Sequence, residues 1–431
     1  MAAGVVSGFP AITRADIPGG KVRMAFIGIG NQGYWDFQQF FQFSDLVETV
    51  ALCDTEIGGP RTKNALRLAP DVPRFKDWRE LFDRMADRID AVCVATPDFS
   101  HAPIVIEALA RGIGVYCEKP LGATFAEIER MAEAASRSKA VTQMGNQGHS
   151  QANYWQFKTL VESGYVKDVT RINVHMNASR RWHKWNGELT ALAEEMTPEW
   201  LDWKLWNAQR PMRPYNHEYV NGGWRCFWTL GNGALGDWGP HLFDAAHQFL
   251  ELGLPERITF HGTGCSPLVF PMSSTIGFHF PARGKHPPCT LEWRDGAENL
   301  QVVDAKISAA KWRMPDCGAE LYLADGRVFA RGSHDSPVSL IAGGDPGDPA
   351  VKKTLREYPR GKPSHHKSFV LAVKGEDATT SPFSVSASLS QVLALGVVAQ
   401  RLAVPELRFD IAAKRFVGND AANALLEAPR A

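Results

Sequence analysis

The hydrophobic pattern of the first 145 residues alternates between short apolar runs and amphipathic stretches. The apolar runs predict β-strands at 21–29, 47–53, 90–97, 114–120 and 140–144. The amphipathic stretches predict helices near 61–69, 77–88, 100–111 and 124–139; Thr124 and Glu127 form a capping box, and Gly112 fits a helix end. Strands that alternate with helices predict a doubly wound parallel sheet, a Rossmann domain over residues 21–145.

The pattern changes after residue 145. Residues Asp168–Asn177 alternate as a half-buried strand does, and Arg294–Gly296 and Ala324–Gly326 have the composition of hairpin turns. Ser384–Leu402 is predicted to be a long helix that packs back on the molecule. These signals predict a second, α+β domain over residues 146–431, with an open, mostly antiparallel sheet and helices on one face.

The amino-acid composition argues against several classes of protein. Lys+Arg and Asp+Glu balance at 47 each, so no basic field indicates nucleic-acid binding. No apolar run approaches the roughly 20 residues of a membrane span. The seven cysteines lack the close spacing of a zinc site or a disulfide scaffold, and Cys53, Cys93 and Cys117 are predicted core thiols. Most of the 13 tryptophans lie between Trp155 and Trp238, where they can line a sugar site, although core packing accounts for most of them.

A glycine-rich turn follows the first predicted strand. Gly28, Gly30 and Gly33, with Asn31 and Gln32 between them, match the dinucleotide fingerprint. Asp54 ends the next strand, where a carboxylate accepts hydrogen bonds from a ribose and repels a 2′-phosphate. The sequence therefore predicts NAD rather than NADP; the alternative for Asp54 is a turn acid at a strand end.

Residues at the end of the third predicted strand, 90–97, and just beyond it are expected to approach the middle of the cofactor. Thr96 and Pro97 occupy this position, and their alternative role is only to end the strand. His101 is either a further cofactor contact or an ordinary residue at a helix start.

A charged pair, Glu118 and Lys119, closes the next apolar strand. Open α/β sheets bind ligands beyond the carboxyl ends of their strands, so Lys119 is predicted to face the chemistry and Glu118 to adjoin the cofactor. Pro120 fixes the backbone after the lysine, with a cis bond as one option.

A third motif runs from Gly233 to Asp244 and contains Gly236-Asp237-Trp238-Gly239-Pro240-His241. Pro240 suits the first position of a helix, which would place His241 in the first turn, where the helix dipole disfavours imidazolium. A neutral His241 is a candidate general base. Asp237, just outside this predicted helix, either caps it or orients His241.

Two further clusters are candidates for substrate binding. Asn146, Gln147 and His149 join the two predicted domains, where a cleft is expected, with Asn146 also near the cofactor; hinge turns are the alternative. Loops preceding Asp237 carry aromatic and cationic groups, namely Arg213, Tyr215, Trp224 and Arg225. No spacing of His or carboxylate residues demands a metal.

Three motifs in this order resemble those of the Gfo/Idh/MocA family of oxidoreductases. They are Gly28-x-Gly30-x-x-Gly33, Glu118-Lys119-Pro120 and Gly236-Asp237-x-x-x-His241. The resemblance is clear over residues 21 to about 260 and general beyond. It implies NAD(P)-dependent oxidation or reduction of a secondary hydroxyl of a sugar or cyclitol, with Lys119, Asp237 and His241 around the reacting carbon. The family also contains NAD-dependent glycoside hydrolases, which oxidise the sugar transiently, so redox-neutral glycoside cleavage with retained NAD is the alternative.

Residues 1–20 are predicted to be the remnant of an export signal, because the opening 15 residues, MAAGVVSGFPAITRA, are small, apolar and acid-free and resemble the tail of such a signal. Together with the stretch from Leu201 to Trp206, they resemble a secreted branch of the family with twin-arginine leaders, which implies a periplasmic protein. A disordered terminus of a cytoplasmic protein is the alternative. A homo-oligomer is expected because exposed faces of open sheets often pair.

Overall fold

A computed structural model describes residues 20–427 except 178–188, 190, 209, 221, 301–303, 306, 308–314 and 335. All but the last residue of the segment that resembles an export signal therefore lies outside the described residues.

The N-terminal part of the chain forms a six-stranded parallel sheet in the order β3-β2-β1-β4-β5-β6. Its strands are β1 (Val22–Ile27), β2 (Val47–Cys53), β3 (Arg74–Phe75), β4 (Ala91–Val94), β5 (Gly114–Cys117) and β6 (Thr142–Met144). The intervening helices are α1 (Gln32–Phe41), α2 (Lys63–Leu68), α3 (Trp78–Met85), α4 (His101–Ala110) and α5 (Phe125–Arg137). The predicted Rossmann fold is confirmed; the two-residue strand β3 was missed because it is too short to show a period.

Local capping signals position these helices. The Thr124 side chain accepts a hydrogen bond from the backbone N–H of Glu127, and the Glu127 carboxylate accepts one from the backbone N–H of Thr124, as the capping box predicts. Gly112 follows α4 with a φ of 73°, a left-handed conformation that glycine adopts without strain. Cys53, Cys93 and Cys117 are buried free thiols in the strands, as predicted.

The C-terminal part forms a nine-stranded mixed sheet in the order β13-β12-β11-β7-β10-β9-β8-β14-β15. Its strands are β7 (Val169–Met176), β8 (Arg257–Thr263), β9 (Ser273–Phe280), β10 (Cys289–Asp295), β11 (Cys317–Leu323), β12 (Val328–Arg331), β13 (Ser339–Ala342), β14 (Glu406–Asp410) and β15 (Arg415–Phe416). The sheet is mostly antiparallel, as predicted, but β7 and β10 pair in parallel.

One of the two predicted hairpin turns is confirmed. Ala324–Gly326 joins the antiparallel strands β11 and β12. Arg294–Gly296 ends β10, yet the next strand, β11, pairs with β7 instead. The hairpin prediction at Arg294–Gly296 was therefore wrong, because turn composition does not determine which strand becomes the neighbour in the sheet.

Helices of the C-terminal part pack on both sheets. They are α6 (Ala152–Glu162), α7 (Trp203–Trp206), α8 (Gly233–Leu242), α9 (Asp244–Phe249), α10 (Pro349–Arg356), α11 (His365–Val373), α12 (Phe383–Leu402) and α13 (Asp420–Glu427). The predicted long helix, α12, packs back against α5 and α8. Among the described residues it is the one helix whose length and composition would suffice to cross a membrane, but 83% of that window is buried inside the protein, as in a core helix.

Candidate active site

The glycine turn after β1 is shaped by close backbone approaches. Gly28 has a φ of 82°, and a Cβ there would lie 2.7 Å from the Ala95 carbonyl oxygen. A Cβ at Gly33 would lie 2.0 Å from the carbonyl oxygen of Gly28, so α1 packs directly on the turn. Gly28, Gly30, Asn31 and Gln32 line a cavity of about 340 Å³ at the carboxyl edge of the sheet. This is the cradle that a dinucleotide requires.

Asp54 lies beside this turn and lines the same cavity. Its carboxylate accepts hydrogen bonds from the backbone N–H groups of Ile29 (2.8 Å) and Glu56 (2.9 Å). Burial raises the pKa of Asp54, and these hydrogen bonds oppose the rise. Arg61, the nearest following cation, forms an ion pair with Glu56. A carboxylate therefore stands where the fold places the ribose.

The residues after β4 divide into two groups. Thr96 and Pro97 line the cavity, as predicted. His101 does not line it; its ring nitrogens lie 3.0 Å from the Pro120 carbonyl oxygen and 2.7 Å from that of Thr96. This buried side chain therefore joins the loops after β4 and β5 instead of facing a ligand.

Lys119 extends from the loop after β5 toward α8. The Lys119–Pro120 bond is cis. The ammonium donates hydrogen bonds to Oδ1 of Asp237 (2.7 Å) and to the Asp237 carbonyl oxygen (2.9 Å). The two side chains are 9% and 15% exposed, and both residues line the cavity. Glu118 also lines it, and its carboxylate accepts a hydrogen bond from the backbone N–H of Lys119.

Arg225 is the second cation beside Asp237. Its Nε lies 3.4 Å from Oδ1 of Asp237, and its guanidinium lies 4.1 Å from the centre of the Trp224 ring. Burial acts to raise the pKa of Asp237, but the charges of Lys119 and Arg225 overcome it and hold that pKa well below its usual value. Asp237 is therefore an anion that fixes two cations at one end of the cleft.

His241 lies in the last turn of α8, not in a first turn. The helix begins at Gly233 and contains Pro240, so the prediction of a helix start at Pro240 was wrong. Asp237 is likewise inside the helix and does not cap it. Burial, followed by the charge of Lys119, lowers the pKa of His241 well below its usual value. The imidazole is therefore neutral, as predicted, for a different physical reason.

The surroundings of His241 differ from the predicted Asp237–His241 dyad. Among the described residues, the Nδ1 atom of His241 has no hydrogen-bond partner, and Asp237 is engaged with Lys119 and Arg225. The His241 ring instead packs against His334 (4.6 Å between centroids) and Trp238 (6.0 Å). Its neutral ring retains a lone pair that can accept a proton.

The residues that join the two sheets form a buried polar cluster. Asn146 Nδ2 and His149 Nδ1 lie 3.0 and 2.5 Å from Oδ1 of Asp244. Within the described part of the chain, Oδ1 of Asn146, Oε1 of Gln147 and Nε2 of His149 are buried without a hydrogen-bond partner. None of the three lines the cofactor cavity.

Sequence reasoning assigned no role to Asp244 and missed a buried arginine. Arg331, at the end of β12, donates through Nη1 to the carbonyl oxygens of His241 (3.2 Å) and Leu242 (3.4 Å). Asp244 stands at the end of the predicted motif, but its contacts with Asn146 and His149, 98 and 95 residues earlier, leave no local pattern. No local signal indicates that Arg331 lies beside the motif, since 90 residues separate it from His241.

Of the four candidate substrate-binding residues in the loops before α8, two line the cavity and two do not. Trp224 and Arg225 line the cavity. Arg213 donates to the Thr229 hydroxyl (2.6 Å), and Tyr215 packs edge-on against Trp203 (5.1 Å). Both stabilise the segment before α8 and are not among the cavity residues.

The arrangement suits proton and hydride chemistry at a carbon–oxygen bond. A buried ammonium beside a neutral imidazole can polarise a hydroxyl oxygen and take its proton. The glycine cradle and Asp54 fit a nicotinamide dinucleotide, which supplies the hydride acceptor when bound. In the described ranges, no three His, Cys, Asp or Glu side chains group as metal ligands would.

Curated relatives match part of the chain. It is similar to inositol 2-dehydrogenase of Salmonella typhimurium, with 29% identity over 37% of this chain and 47% of the relative. It is similar to α-N-acetylgalactosaminidase of Shewanella oneidensis, with 26% identity over 57% and 48%. D-xylose 1-dehydrogenase [NADP(+)] of Haloarcula marismortui is 28% identical over 43% and 47%. The chain thus spans about half the length of these relatives.

Solved structures support the fold. The WlbA dehydrogenase of Chromobacterium violaceum, in complex with NADH and UDP-GlcNAcA, has a TM-score of 0.64 at 15% identity, with 94% of this chain and 99% of that one covered. The aldose-aldose oxidoreductase of Caulobacter crescentus, complexed with glycerol, has a TM-score of 0.58 at 16% identity, with 90% and 100% covered.

Family profiles match both parts of the chain. Residues 22–146 match the NAD-binding Rossmann fold of the Gfo/Idh/MocA oxidoreductase family, and residues 151–256 match its C-terminal α/β domain. Together these matches span more than half of the 431 residues. The chain therefore belongs to the Gfo/Idh/MocA oxidoreductase family.

Proposed function

We propose that this enzyme oxidises a secondary hydroxyl of a sugar or glycoside, with NAD as the hydride acceptor. The observation that carries the proposal is the position of Lys119 at the carboxyl edge of the Rossmann sheet. Its ammonium is held by Asp237 in the cavity that the glycine turn and Asp54 line. The neutral His241 follows Asp237 by four residues on α8, where the charge of Lys119 reaches it, although His241 is not itself among the cavity residues.

Lys119 and His241 have different roles in this proposal: the lysine stabilises charge and the histidine accepts a proton. Lys119 donates a hydrogen bond to the reacting oxygen and stabilises the negative charge that develops there. His241 takes the hydroxyl proton, because its lowered pKa keeps the imidazole neutral before the reaction. Asp237 positions Lys119 and Arg225 instead of orienting the histidine.

The preference for NAD rests on Asp54. A half-buried carboxylate that already accepts two backbone hydrogen bonds is fixed in place. The ribose hydroxyls of NAD can donate to such a carboxylate, whereas the 2′-phosphate of NADP would be repelled. The loops that carry Gly28, Gly30, Thr96 and Pro97 would hold the pyrophosphate and the middle of the cofactor.

The proposal is tested by direct reduction of the cofactor. The purified protein, supplied with NAD, is incubated with a panel of hexoses, cyclitols and aryl glycosides, and the absorbance of NADH is followed. A stoichiometric rise with at least one sugar supports the proposal. A cofactor that stays oxidised with every sugar, in a protein that binds NAD, contradicts it.

The second candidate function is redox-neutral cleavage of glycosides with a retained cofactor. The similarity to an α-N-acetylgalactosaminidase, which extends over 57% of this chain, favours it. Aryl glycosides incubated with cofactor-loaded enzyme and no added NAD separate the candidates. Release of the aglycone without accumulating NADH supports cleavage, and NADH without aglycone release supports the dehydrogenase. A periplasmic location and a homo-oligomer remain predictions from the sequence.

A further inference from the structure

An acidic side chain is buried in the Rossmann domain next to the loop that carries Lys119. Asp36, in the middle of α1, is 0% exposed, which is rare for a carboxyl group. Its Oδ1 atom lies 3.0 Å from Nε2 of His366, at the start of α11. That nitrogen also lies 3.2 Å from the hydroxyl oxygen of Tyr116 on β5. Asp36 does not line the cofactor cavity, and the proposed mechanism does not use it.

Asp36 contacts a second buried carboxyl group, that of Glu118. The two side chains are hydrogen-bonded to each other. Among the described residues, no N–H or O–H group donates to Oδ2 of Asp36 or to Oε1 of Glu118. A hydrogen bond between two carboxyl groups needs a proton on one of them, because ionised carboxylates can only accept. Asp36 and Glu118, which we call the carboxyl pair, therefore share a proton.

The fold holds Glu118 in this position. A Cβ at Gly145 would lie 2.3 Å from Oε1 of Glu118, so a glycine is needed to leave room for the carboxyl group. The other oxygen, Oε2, accepts a hydrogen bond from the backbone N–H of Lys119 (3.3 Å). Glu118 is 5% exposed and lines the cofactor cavity. The carboxyl pair thus extends from the wall of the cavity into the core of the domain.

Burial and nearby charges act on the carboxyl pair in opposite directions. Burial has the largest effect and raises the pKa of both groups, and the charge of Asp36 raises the pKa of Glu118 further. The charge of Lys119 acts to lower both pKa values, and that of Arg225 acts to lower the pKa of Glu118, but neither overcomes burial.

Four further titratable groups face the carboxyl pair, and none of them brings a charge. Burial lowers the pKa of His366 to about 3, so its imidazole is neutral. Burial raises the pKa of the Tyr116 phenol and the pKa values of the Cys93 and Cys117 thiols well above their usual values. The protonation of the carboxyl pair therefore depends on the cations beside it and on any charge that enters the cavity.

We infer that the carboxyl pair releases its shared proton when oxidised cofactor binds and takes up a proton again when the cofactor is reduced. This inference rests on the proposed function, which puts the nicotinamide beside Lys119 and hence near Glu118. The nicotinamide ring of NAD is positively charged and favours the doubly ionised pair, whereas the ring of NADH is neutral. Asp36 acts through Glu118 and is a positioning residue.

The carboxyl pair adds a proton to the balance of the proposed reaction. The carbon–hydrogen bond of the carbinol breaks, and the hydride carries both electrons to the nicotinamide ring. The hydroxyl proton goes to His241 and from there to water. The carboxyl pair takes one proton from water through Glu118, which reaches the cavity wall. Sugar oxidation therefore releases no net proton until NADH is replaced by NAD.

The test compares the protons released when NAD and NADH bind. Calorimetric titrations near neutral pH, in buffers of different ionisation enthalpy, give the number of protons released with each nucleotide. Asp54 and its neighbours meet the same adenosine half in both nucleotides, so the difference between NAD and NADH reports on the nicotinamide end. Asp36→Asn removes the shared proton and keeps the size of the side chain. Asp45→Asn is the matched control, because Asp45 is exposed just beyond α1 and does not line the cavity.

We expect wild type and Asp45→Asn to release about one proton more with NAD than with NADH, and Asp36→Asn to show no difference. Because a proton must leave for NAD to bind, the wild-type Kd for NAD should fall about tenfold per unit rise in pH while the Kd for NADH stays constant. Equal release with both nucleotides in wild type would overturn the inference, and this measurement decides the matter if Asp36→Asn does not fold. A difference that persists in Asp36→Asn would assign the proton to another group, such as the Lys119 ammonium, and would also overturn it.

The inference and the proposed function can fail separately. A proton difference between NAD and NADH, with no sugar that reduces the cofactor, would refute the proposed function alone. Sugar-dependent formation of NADH with equal proton release would refute only the role of the carboxyl pair. A protein that binds neither nucleotide would refute both.

Discussion

Replacing Lys119 by Met removes one of the two cations beside Asp237 and keeps much of the volume of the lysine side chain. In the wild type, the ammonium makes two hydrogen bonds to Asp237, at 2.7 and 2.9 Å, in a place where both side chains are mostly buried. The variant leaves the Asp237 carboxylate with Arg225 as its remaining charged partner, at 3.4 Å.

Two magnitudes follow from this geometry. Breaking a buried ion pair by removing one partner costs about 3–5 kcal/mol of unfolding free energy, and we expect the lower end, about 3 kcal/mol, because Arg225 stays. Removing one preformed donor from a developing oxyanion lowers turnover by about 10²- to 10³-fold. The affinity for NAD should change little, since the glycine turn and Asp54 are untouched.

The stability difference should also depend on pH. In the wild type, the pKa of Asp237 lies well below its usual value, so the ion pair contributes at neutral pH and is lost only as the pH falls through that low pKa. In Lys119→Met, the charge that mainly opposes the effect of burial on Asp237 is gone. The pKa of Asp237 in the folded variant should therefore rise above its value in the unfolded chain. The variant therefore regains stability as the pH falls, and the gap should narrow between neutral pH and about pH 4.

Urea unfolding at several pH values measures the gap, and steady-state assays with a sugar that wild type oxidises measure turnover. Lys139→Met is the control, because Lys139 is exposed at the end of α5 and should leave both quantities unchanged. Wild-type turnover in Lys119→Met would refute the catalytic role of the lysine. A stability gap that stays constant with pH would refute the electrostatic account of Asp237.

Three other substitutions test separate parts of the site. His241→Gln should lower turnover by about 10²- to 10⁴-fold; in the wild type, the lowered pKa of His241 predicts no inflection near pH 6.5 in a pH–rate profile, and such an inflection would contradict the assignment. Asp54→Asn should weaken NAD binding by about tenfold or more in calorimetry and NADP binding far less, since charge-assisted hydrogen bonds are worth roughly 1.5–3 kcal/mol. Gly33→Ala would put a methyl group 2.0 Å from the Gly28 carbonyl oxygen and should abolish NAD binding; unchanged affinity would disprove the close packing of the turn.

Features encoded by neighbouring residues were predicted well. The capping box at Thr124, the helix end at Gly112 and the glycine turn after β1 each depend on residues a few positions apart. The convergence of Lys119 with Asp237 was also predicted, although the resemblance to a family implied it and spacing alone did not.

The start of α8 shows why local rules failed elsewhere. Glycines at 233, 236 and 239 and the proline at 240 indicate a loop by propensity, yet the helix runs through them. A Cβ at Gly239 would lie 2.5 Å from Leu393 of α12, so close helix packing requires the small residue. Tertiary contacts of this kind override propensity and leave no local pattern.

The remaining omissions are contacts between distant parts of the chain. Arg210 pairs with Glu127, 83 positions earlier, and Arg331 binds the end of α8 across 90 positions. Periodicity describes which face of an element is buried, but not which residue meets it there. Because periodicity does not identify the partner, the sequence analysis paired Asp237 with His241, whereas in the structure Asp237 pairs with Lys119.

The most direct test of the central claim is to follow a hydrogen isotope from the substrate to the cofactor. Sugars deuterated at each carbinol carbon are incubated with the NAD-loaded protein, which is then denatured, and the released cofactor is analysed by mass spectrometry. We predict deuterium on the nicotinamide ring with one labelled position of an accepted sugar, and its absence in Lys119→Met under the same conditions. Unlabelled cofactor from wild type with every sugar that it converts would contradict hydride transfer at this site.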